Sequence, residues 1–402
     1  MISVDQALTK IMARLPECRP THCTLSNAVG YVLAEDVQSD IDSPPYDKSL
    51  VDGYAVIADD VQRNVVLDVL EEVLAGQTPT KIVRAKTAIQ IMTGAPLPQG
   101  ANAVVMIEQT SRDGQKVIIH QDAIQPEANV MRQATSLSQG EIILSKGTLI
   151  RPIEVGILAE IGCTNVPVYQ PPKLAVISTG DELVQATTTP HGGQIRNSNG
   201  PLLQALATSF GAEAQSLGIG IDDFQTLSDL VATGLESDIL ILSGGVSAGV
   251  KDLVPAVLEQ HGVEQVFHKL KLKPGKPLWF GVLSSADRQI MVFGLPGNPV
   301  SSLVCFLLFV APVIFRMTGK HSECLRETTA CLTTDFQQRG DRPTYFPAQL
   351  TERNGNRYVT PLAWKGSADQ RTLSEANALA FFEAGNQLYP NGEEISVFEI
   401  PS

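Results

Sequence analysis

The chain has 402 residues, too many for one ordinary hydrophobic core, so several domains are expected. Its 43% apolar content fits a globular protein and excludes a disordered one, and a formal charge of −13 argues against a general nucleic-acid or anionic-membrane binder. That balance leaves room for a local basic pocket.

The N-terminal "MISVDQALTKIMARLP" lacks the basic-then-apolar layout of a signal peptide. Ser3 can cap a helix over "VDQALTKIMARL", whose apolar residues fall at helical spacing. A second short amphipathic stretch, "TLSNAVGYVLAEDV", follows, and the two prolines of "DSPPYDKS" then break all regularity. From Val51 to about Asn129, short runs such as "YAVIA", "AIQIMTG" and "NAVVMIEQ" alternate with Gly, Pro and Asp, which reads as a β-rich insert. "GEIILSKGTLIRPIEVGILAEIGCTNVPVY" reads as a hairpin, a helix and a return to strand. Beyond Pro171-Pro172, apolar strands alternate with amphipathic helices, the pattern of an α/β domain with a mainly parallel sheet. The longest apolar run, Ser301 to Phe315, is short for a bilayer span and contains Pro312, so a buried helix is expected. From Thr329 onward, short strands and turns predict a small β-barrel or sandwich. The six cysteines form no CxxC pair and no zinc-ligand spacing, so the chain reads as reduced and cytoplasmic.

Three strand-to-loop junctions of the α/β region carry the chemistry: "STGDE" (Ser178 to Glu182), "SGGVSAG" (Ser243 to Gly249) and "GLPGNPVSS" (Gly294 to Ser302). In open parallel sheets, ligands bind beyond the carboxyl ends of the strands. Glycines such as Gly180, Gly244, Gly245 and Gly297 let backbone N–H groups approach a ligand, and helix N-termini favour anions. Ser178, Thr179, Ser243, Ser247, Ser301 and Ser302 add hydroxyls. One such loop would be plain turn chemistry; three on one rim point to a bound anion or polar cofactor. In "FHKLKLKPGKPLWFG", Lys269, Lys271 and Lys273 alternate with leucines, which on a strand places all three on one face. The plain alternative is an edge strand guarded by lysines. Lys276 in the following "KPGKP" favours a phosphate-binding rim. Carboxylates complete the set: Asp52, Asp181, Glu182, Asp222, Asp223 and Asp252. Acids mixed with lysines suit Mg²⁺-assisted phosphate chemistry, although each acid also has a plain role as helix cap or turn residue.

Taken together, "SLVDGYAV", "IMTGAPLPQGANAVVMIEQT", "VISTGDELV", "IRNSNGPLL", "LSGGVSAGVKD", "KLKLKPGKPLWFG" and "GLPGNPVSS" resemble, in order, the molybdopterin molybdenumtransferase family (MoeA, and the E domain of gephyrin). The motifs cover residues 40 to 310, and "WKGS" in the tail is a weaker match. The resemblance implies insertion of molybdenum from molybdate into adenylylated molybdopterin, with hydrolysis of the phosphoanhydride and release of AMP. It implies Mg²⁺, held by Glu182 and Asp252, and a homodimer whose active cleft is shared between subunits. Molybdopterin adenylyltransferase and recipient molybdoenzymes are the further partners it implies, with neither nucleic acid nor membrane.

The implied fold class is multidomain α/β. A discontinuous linker domain (1–45 plus 136–170) carries a β-rich insert (46–135), followed by a molybdopterin-binding α/β domain (171–318) and a barrel-like C-terminal β domain (319–402). Asp52, Thr93, Glu182, Asp222 and Asp252 fall on the family's catalytic positions. Lys269, Lys273, Pro296, Pro299 and Ser367 fall on further functional ones, and Lys276, Gly297 and Asn298 lie beside them on the substrate rim. Asp52 and Thr93 would come from the partner subunit.

There are departures. The family's Gly-Glu-Asp reads Ala134-Thr135-Ser136, and Pro347 stands where an arginine is usual. They favour an alternative, a catalytically weak paralogue that binds or carries molybdopterin. A receptor-clustering scaffold like gephyrin would need that protein's extra N-terminal domain and linker, which this chain lacks.

Overall fold

A computed structural model describes residues 1–246, 253–285 and 288–400. It divides into one unit of Met1–Cys23, Gly30–Ala34 and Pro167–Ser402, and another of Thr24–Val29 and Glu35–Val166.

The first unit opens with α1 (Val4–Met12), where Ser3 and Gln6 form a reciprocal capping box and Val4, Ala7 and Ile11 turn inward. Its centre is a six-stranded sheet built from β1 (Lys173–Thr179), β2 (Glu213–Gly220), β3 (Ile239–Ser243), β4 (Glu264–His268), β5 (Trp279–Ser284) and β6 (Gln289–Leu295). The order is β2-β1-β3-β6-β5-β4, with β2, β1, β3 and β6 parallel and β5 antiparallel to both neighbours.

Both faces of the sheet are covered, which explains why β1 and β3 are apolar without alternation. Leu174, Val176, Ile239 and Ile241 face one core, shared with α1 and with α2 (Asn199–Ser209). Ala175, Ile177, Leu240 and Leu242 face the other, shared with α3 (Phe224–Gly234) and α4 (Val254–Gln260). The apolar run near the end of the domain is part of α5 (Pro299–Met317), longer than the run itself. At 19 residues it has the length and composition of a membrane span, but 83% of its apolar window is buried, so it serves as a core helix. Five strands then close into a barrel: Glu327–Leu332, Asn356–Pro361, Thr344–Arg353, Ala378–Phe382 and Glu394–Glu399. The choice between barrel and sandwich is thus settled as a barrel. Pro347 is a buried strand residue there, opposite Leu379.

The second unit holds a six-stranded sheet, whose order runs Ala103–Met106, Gly53–Val56, Thr87–Ile91, Val66–Val73, Lys116–Ile119 and Thr110–Asp113. The glycine of "VDGYAV" is a packing requirement, since a Cβ on Gly53 would lie 1.9 Å from the Val105 carbonyl oxygen. Two local readings change. The helical content of "TLSNAVGYVLAEDV" is one 3₁₀ turn, Leu25–Asn27, and Gly30 follows at φ +88°. The expected hairpin at 140–150 does not form; Ile142–Leu144 pairs instead with Val37–Gln38, about a hundred residues earlier.

At the departure from the family pattern, Ala134 adopts φ +61°, a left-handed conformation suited to glycine. Ser136 is exposed and its N–H donates to the Ser43 carbonyl at 2.8 Å. Two acids near it in the chain have partners of their own: Glu127 pairs with Arg132 at 2.6 Å, and Glu141 accepts from the Ser138 N–H at 2.9 Å. Because a Cβ is disfavoured at positive φ, Ala134→Gly is expected to stabilise the protein by about 1 kcal/mol. Chemical denaturation checks this; an unchanged or lower midpoint would show that the loop adapts at no cost.

Candidate ligand-binding site

Parallel register brings the loops together. Ser178 of β1 pairs with Ser243 of β3, and Ser243 with Leu295 of β6, so "STGDE", "SGG" and "LPGNP" leave the sheet side by side. Sheet order places this rim where successive crossovers run to opposite sides of β1, the position at which open α/β sheets leave a crevice. A cavity of about 320 Å³ opens there.

The glycines make its floor possible. A Cβ on Gly244, at φ +100°, would lie 2.5 Å from the Thr179 carbonyl oxygen. Gly244 N–H donates to the Leu295 carbonyl at 3.0 Å, and Thr179 Oγ1 to the Ser243 carbonyl at 3.4 Å, which braces the three loops against one another. Glu182 folds its carboxylate back over Gly180, whose Cβ would meet Oε2 at 2.5 Å. Asp222 stands on the same cavity, its backbone N–H held by Asp181 Oδ1 at 2.9 Å. The plain roles of two acids are therefore visible: Asp181 positions the Asp222 turn, and Asp223 caps α3 by accepting from the Thr226 N–H and hydroxyl. The Thr226 hydroxyl and N–H hold the Asp223 carboxyl below its ordinary range.

Of the residues expected from sequence, Ser178, Thr179, Gly180, Glu182, Asp222, Ser243, Gly244, Gly245, Gly297 and Pro299 line this cavity. Ser247 and Asp252 lie outside the described residues. Pro296, Asn298 and Ser302 brace the third loop instead: the Ser302 hydroxyl donates to the Pro296 carbonyl, and its N–H to the Asn298 carbonyl at 2.9 Å, while Ser301 is buried in α5. Ser367 joins this loop through its own carbonyl, which accepts from the Val300 N–H at 3.1 Å.

The lysines require a correction. Residues 269–273 are not a strand, because Lys269 sits at φ +70° and the backbone pairs piecewise with distant segments. Lys271 N–H donates to the Ile2 carbonyl and Lys273 N–H to that of Pro343, each at 2.9 Å. Leu270 and Leu272 are fully buried, so the alternation survives while its strand geometry does not. Lys269, Lys271, Lys273 and Lys276 do not line the cavity, although His268 Nε2 bonds the Val246 carbonyl at 2.9 Å and so ties their turn to the "SGG" loop.

Sequence reasoning missed Arg196, Asn197, Ser198 and Asn199, which form one wall. Leu183–Val184 pairs in parallel with Ile195–Arg196, so the chain returns to the cavity after a surface excursion. "IRNSNG" was the available signal, but its Asn-Ser-Asn-Gly composition is also that of an ordinary turn. Arg196 is the one cation among the described lining residues.

In the other unit, Asp52 and Thr93 meet. The Thr93 N–H and hydroxyl both donate to Asp52 Oδ1 at 2.7 Å. These bonds, the backbone one foremost, hold the Asp52 carboxyl below its ordinary value. Thr93→Val removes the hydroxyl donor from the charged form, so the Asp52 pKa is expected to rise; a carboxyl NMR titration that finds no change would contradict the pairing.

A mainly parallel sheet with glycine loops and helix starts converging on one cavity defines a nucleotide- or cofactor-binding α/β domain within a larger multidomain protein. Comparison with known proteins makes this specific. Residues 2–162 match the model of the MoeA N-terminal region (domain I and II), 175–316 that of a probable molybdopterin binding domain, and 329–400 that of the MoeA C-terminal region (domain IV). A molybdopterin molybdenumtransferase of Staphylococcus epidermidis is 31% identical over 402 residues, covering 98% of this chain and 95% of that one. Its counterpart in Haemophilus influenzae is 36% identical over 322 residues, 80% of this chain and 78% of its own. The crystal structure of a molybdopterin biosynthesis MoeA protein from Pyrococcus horikoshii superposes with a TM-score of 0.87 over the whole of both chains, at 29% identity. The chain belongs to the molybdopterin molybdenumtransferase (MoeA) family.

Proposed function

We propose that this chain inserts molybdenum from molybdate into adenylylated molybdopterin, releasing AMP. Family membership assigns it to molybdenum cofactor biosynthesis. The observation that carries the finer reading is the cavity, a polar, glycine-floored cleft lined by Glu182, Asp222, Arg196 and Asn199. Backbone N–H groups and Arg196 suit the phosphates, and the carboxylates suit proton transfer from the attacking water. Water would attack the phosphoanhydride phosphorus, the bridging P–O bond would break and AMP would leave; the two thiols of the dithiolene would replace one oxo group of molybdate, which departs as water with their protons.

Among the described residues, no group of three or more His, Cys, Asp or Glu side chains could hold a metal. Mg²⁺ commonly takes only one or two carboxylates, with phosphate oxygens and water as the remaining ligands, so Glu182, which lines the cavity, would supply one ligand; Asp252, the other expected from the sequence, lies outside the described residues. When bound it would supply positive charge against the phosphate oxygens. Asp52, ionised and held by Thr93, would reach the reaction from the partner subunit of a cytoplasmic homodimer. The test is a single-turnover assay with purified protein, adenylylated molybdopterin, Mg²⁺ and molybdate or tungstate, scoring AMP and active cofactor. AMP release with cofactor formation is expected. Tight binding of substrate without AMP release would favour the carrier reading, to which Ser136 and Pro347 point.

A further inference from the structure

The second glycine loop is tied to the lysine turn by one side chain. His268 is the last residue of β4 and is half-buried. Its Nε2 lies 2.9 Å from the Val246 carbonyl oxygen. A carbonyl only accepts, so Nε2 carries the hydrogen, and the ring offers that donor both as the neutral Nε2–H tautomer and when protonated. The sheet itself supplies no such link. β3, which leads into the "SGG" loop, is separated from β4 by β6 and β5, so no ladder hydrogen bond joins the two.

Both ends of the tie are firm. Val246 is 1% exposed, and its side chain fills the space over Gly294, where a Cβ would lie 2.6 Å from Val246 Cγ1. His268 pairs in register with Trp279 of β5, whose Nε1 donates to Gln265 Oε1 at 2.8 Å. Directly after His268 the chain turns at Lys269, φ +70°, and the turn closes on itself. Lys269 N–H donates to the Leu278 carbonyl at 2.9 Å, and Leu270 N–H to that of Lys276 at 2.8 Å. A change at the imidazole is therefore passed on to the loop and to the lysine turn, with little slack to absorb it. The cavity floor has its own support, because Gly244 N–H is held by the Leu295 carbonyl.

We propose that His268 is a positioning residue for the reaction: its Nε2–H fixes the spacing between the second glycine loop and the turn that carries Lys269 and Lys273. His268 does not line the cavity. It acts through the Val246 carbonyl on one side and the backbone of Lys269 on the other. This rests on the molybdenum-insertion reading, in which the loop and the lysines serve one phosphoanhydride. Stabilising charge as it develops on phosphate oxygens needs donors that are fixed before the reaction. Without the tie, the loop and the lysines can each still meet the ligand, but their separation is no longer held. The chemical step then suffers more than binding does.

The experiment compares the full chain as wild type, His268→Phe and His268→Gln in single-turnover release of AMP from adenylylated molybdopterin. AMP affinity by calorimetry and melting temperature are measured on the same preparations. Phenylalanine keeps a flat ring without a donor, and glutamine restores an N–H at the end of a side chain of similar reach. At saturating substrate, His268→Phe is expected to release AMP roughly 10-fold more slowly, the scale of one hydrogen bond lost to the transition state, with AMP affinity within about 2-fold of wild type. His268→Gln should recover most of the rate. A structural role alone would lower the melting temperature and leave the folded protein's rate unchanged, so a wild-type rate in His268→Phe overturns the proposal. Equal slowing in His268→Gln overturns it too, because the donor would then not be what matters, and so does a rate loss matched by the loss of AMP affinity. Should His268→Phe not fold, His268→Met, which also lacks a donor, takes its place. Failure of the wild type to release AMP would instead overturn the function on which the proposal rests.

Discussion

Glu182→Gln is expected to slow AMP release by about 10²-fold or more, the scale of losing a positioned proton acceptor or metal-facing carboxylate. The substitution is nearly isosteric, and Glu182 is exposed at the cavity mouth with its carboxylate laid over Gly180. The backbone that holds this turn does not depend on the side-chain charge: Leu183 N–H donates to the Gly180 carbonyl at 3.2 Å, and Ile195 N–H to that of Glu182 at 2.8 Å. Fold and melting temperature should therefore persist. Wild-type turnover in Glu182→Gln, measured under single-turnover conditions, would place the carboxylate outside the chemistry.

The second large effect is on architecture. Gly244→Ala should destabilise the protein by about 2–4 kcal/mol, combining the cost of a Cβ at positive φ with that of overpacking. The clash is with the Thr179 backbone oxygen, 2.5 Å from the ideal Cβ, and not with the end of a side chain that could swing away. Relief requires the "STGDE" and "SGG" loops to part, so nucleotide affinity should fall along with stability. Denaturant unfolding and AMP binding on the same preparation test both halves of this expectation. Wild-type stability would mean that the two loops do not touch as described.

The three glycine loops were legible in the sequence because each follows an uninterrupted apolar strand, and parallel register then leaves them little choice of place. The family's motifs placed Asp52 and Thr93 on one list, but only the fold shows them sharing one oxygen across 41 positions of chain. The fourth wall was not legible. Arg196 to Asn199 reach the cavity because Ile195–Arg196 returns to pair with Leu183–Val184, a long-range contact with no periodic signature. The lysine segment failed for the opposite reason. Its period-two alternation is real in burial, yet Ile2 and Pro343 supply its hydrogen bonds, and no local pattern encodes partners so distant.

A crystal structure of the protein with adenylylated molybdopterin bound tests the central claim most directly. The account predicts the ligand in the cavity at the ends of β1, β3 and β6, with phosphates on the glycine loops. Ligand density elsewhere on the chain, with this cavity filled by solvent, would contradict it.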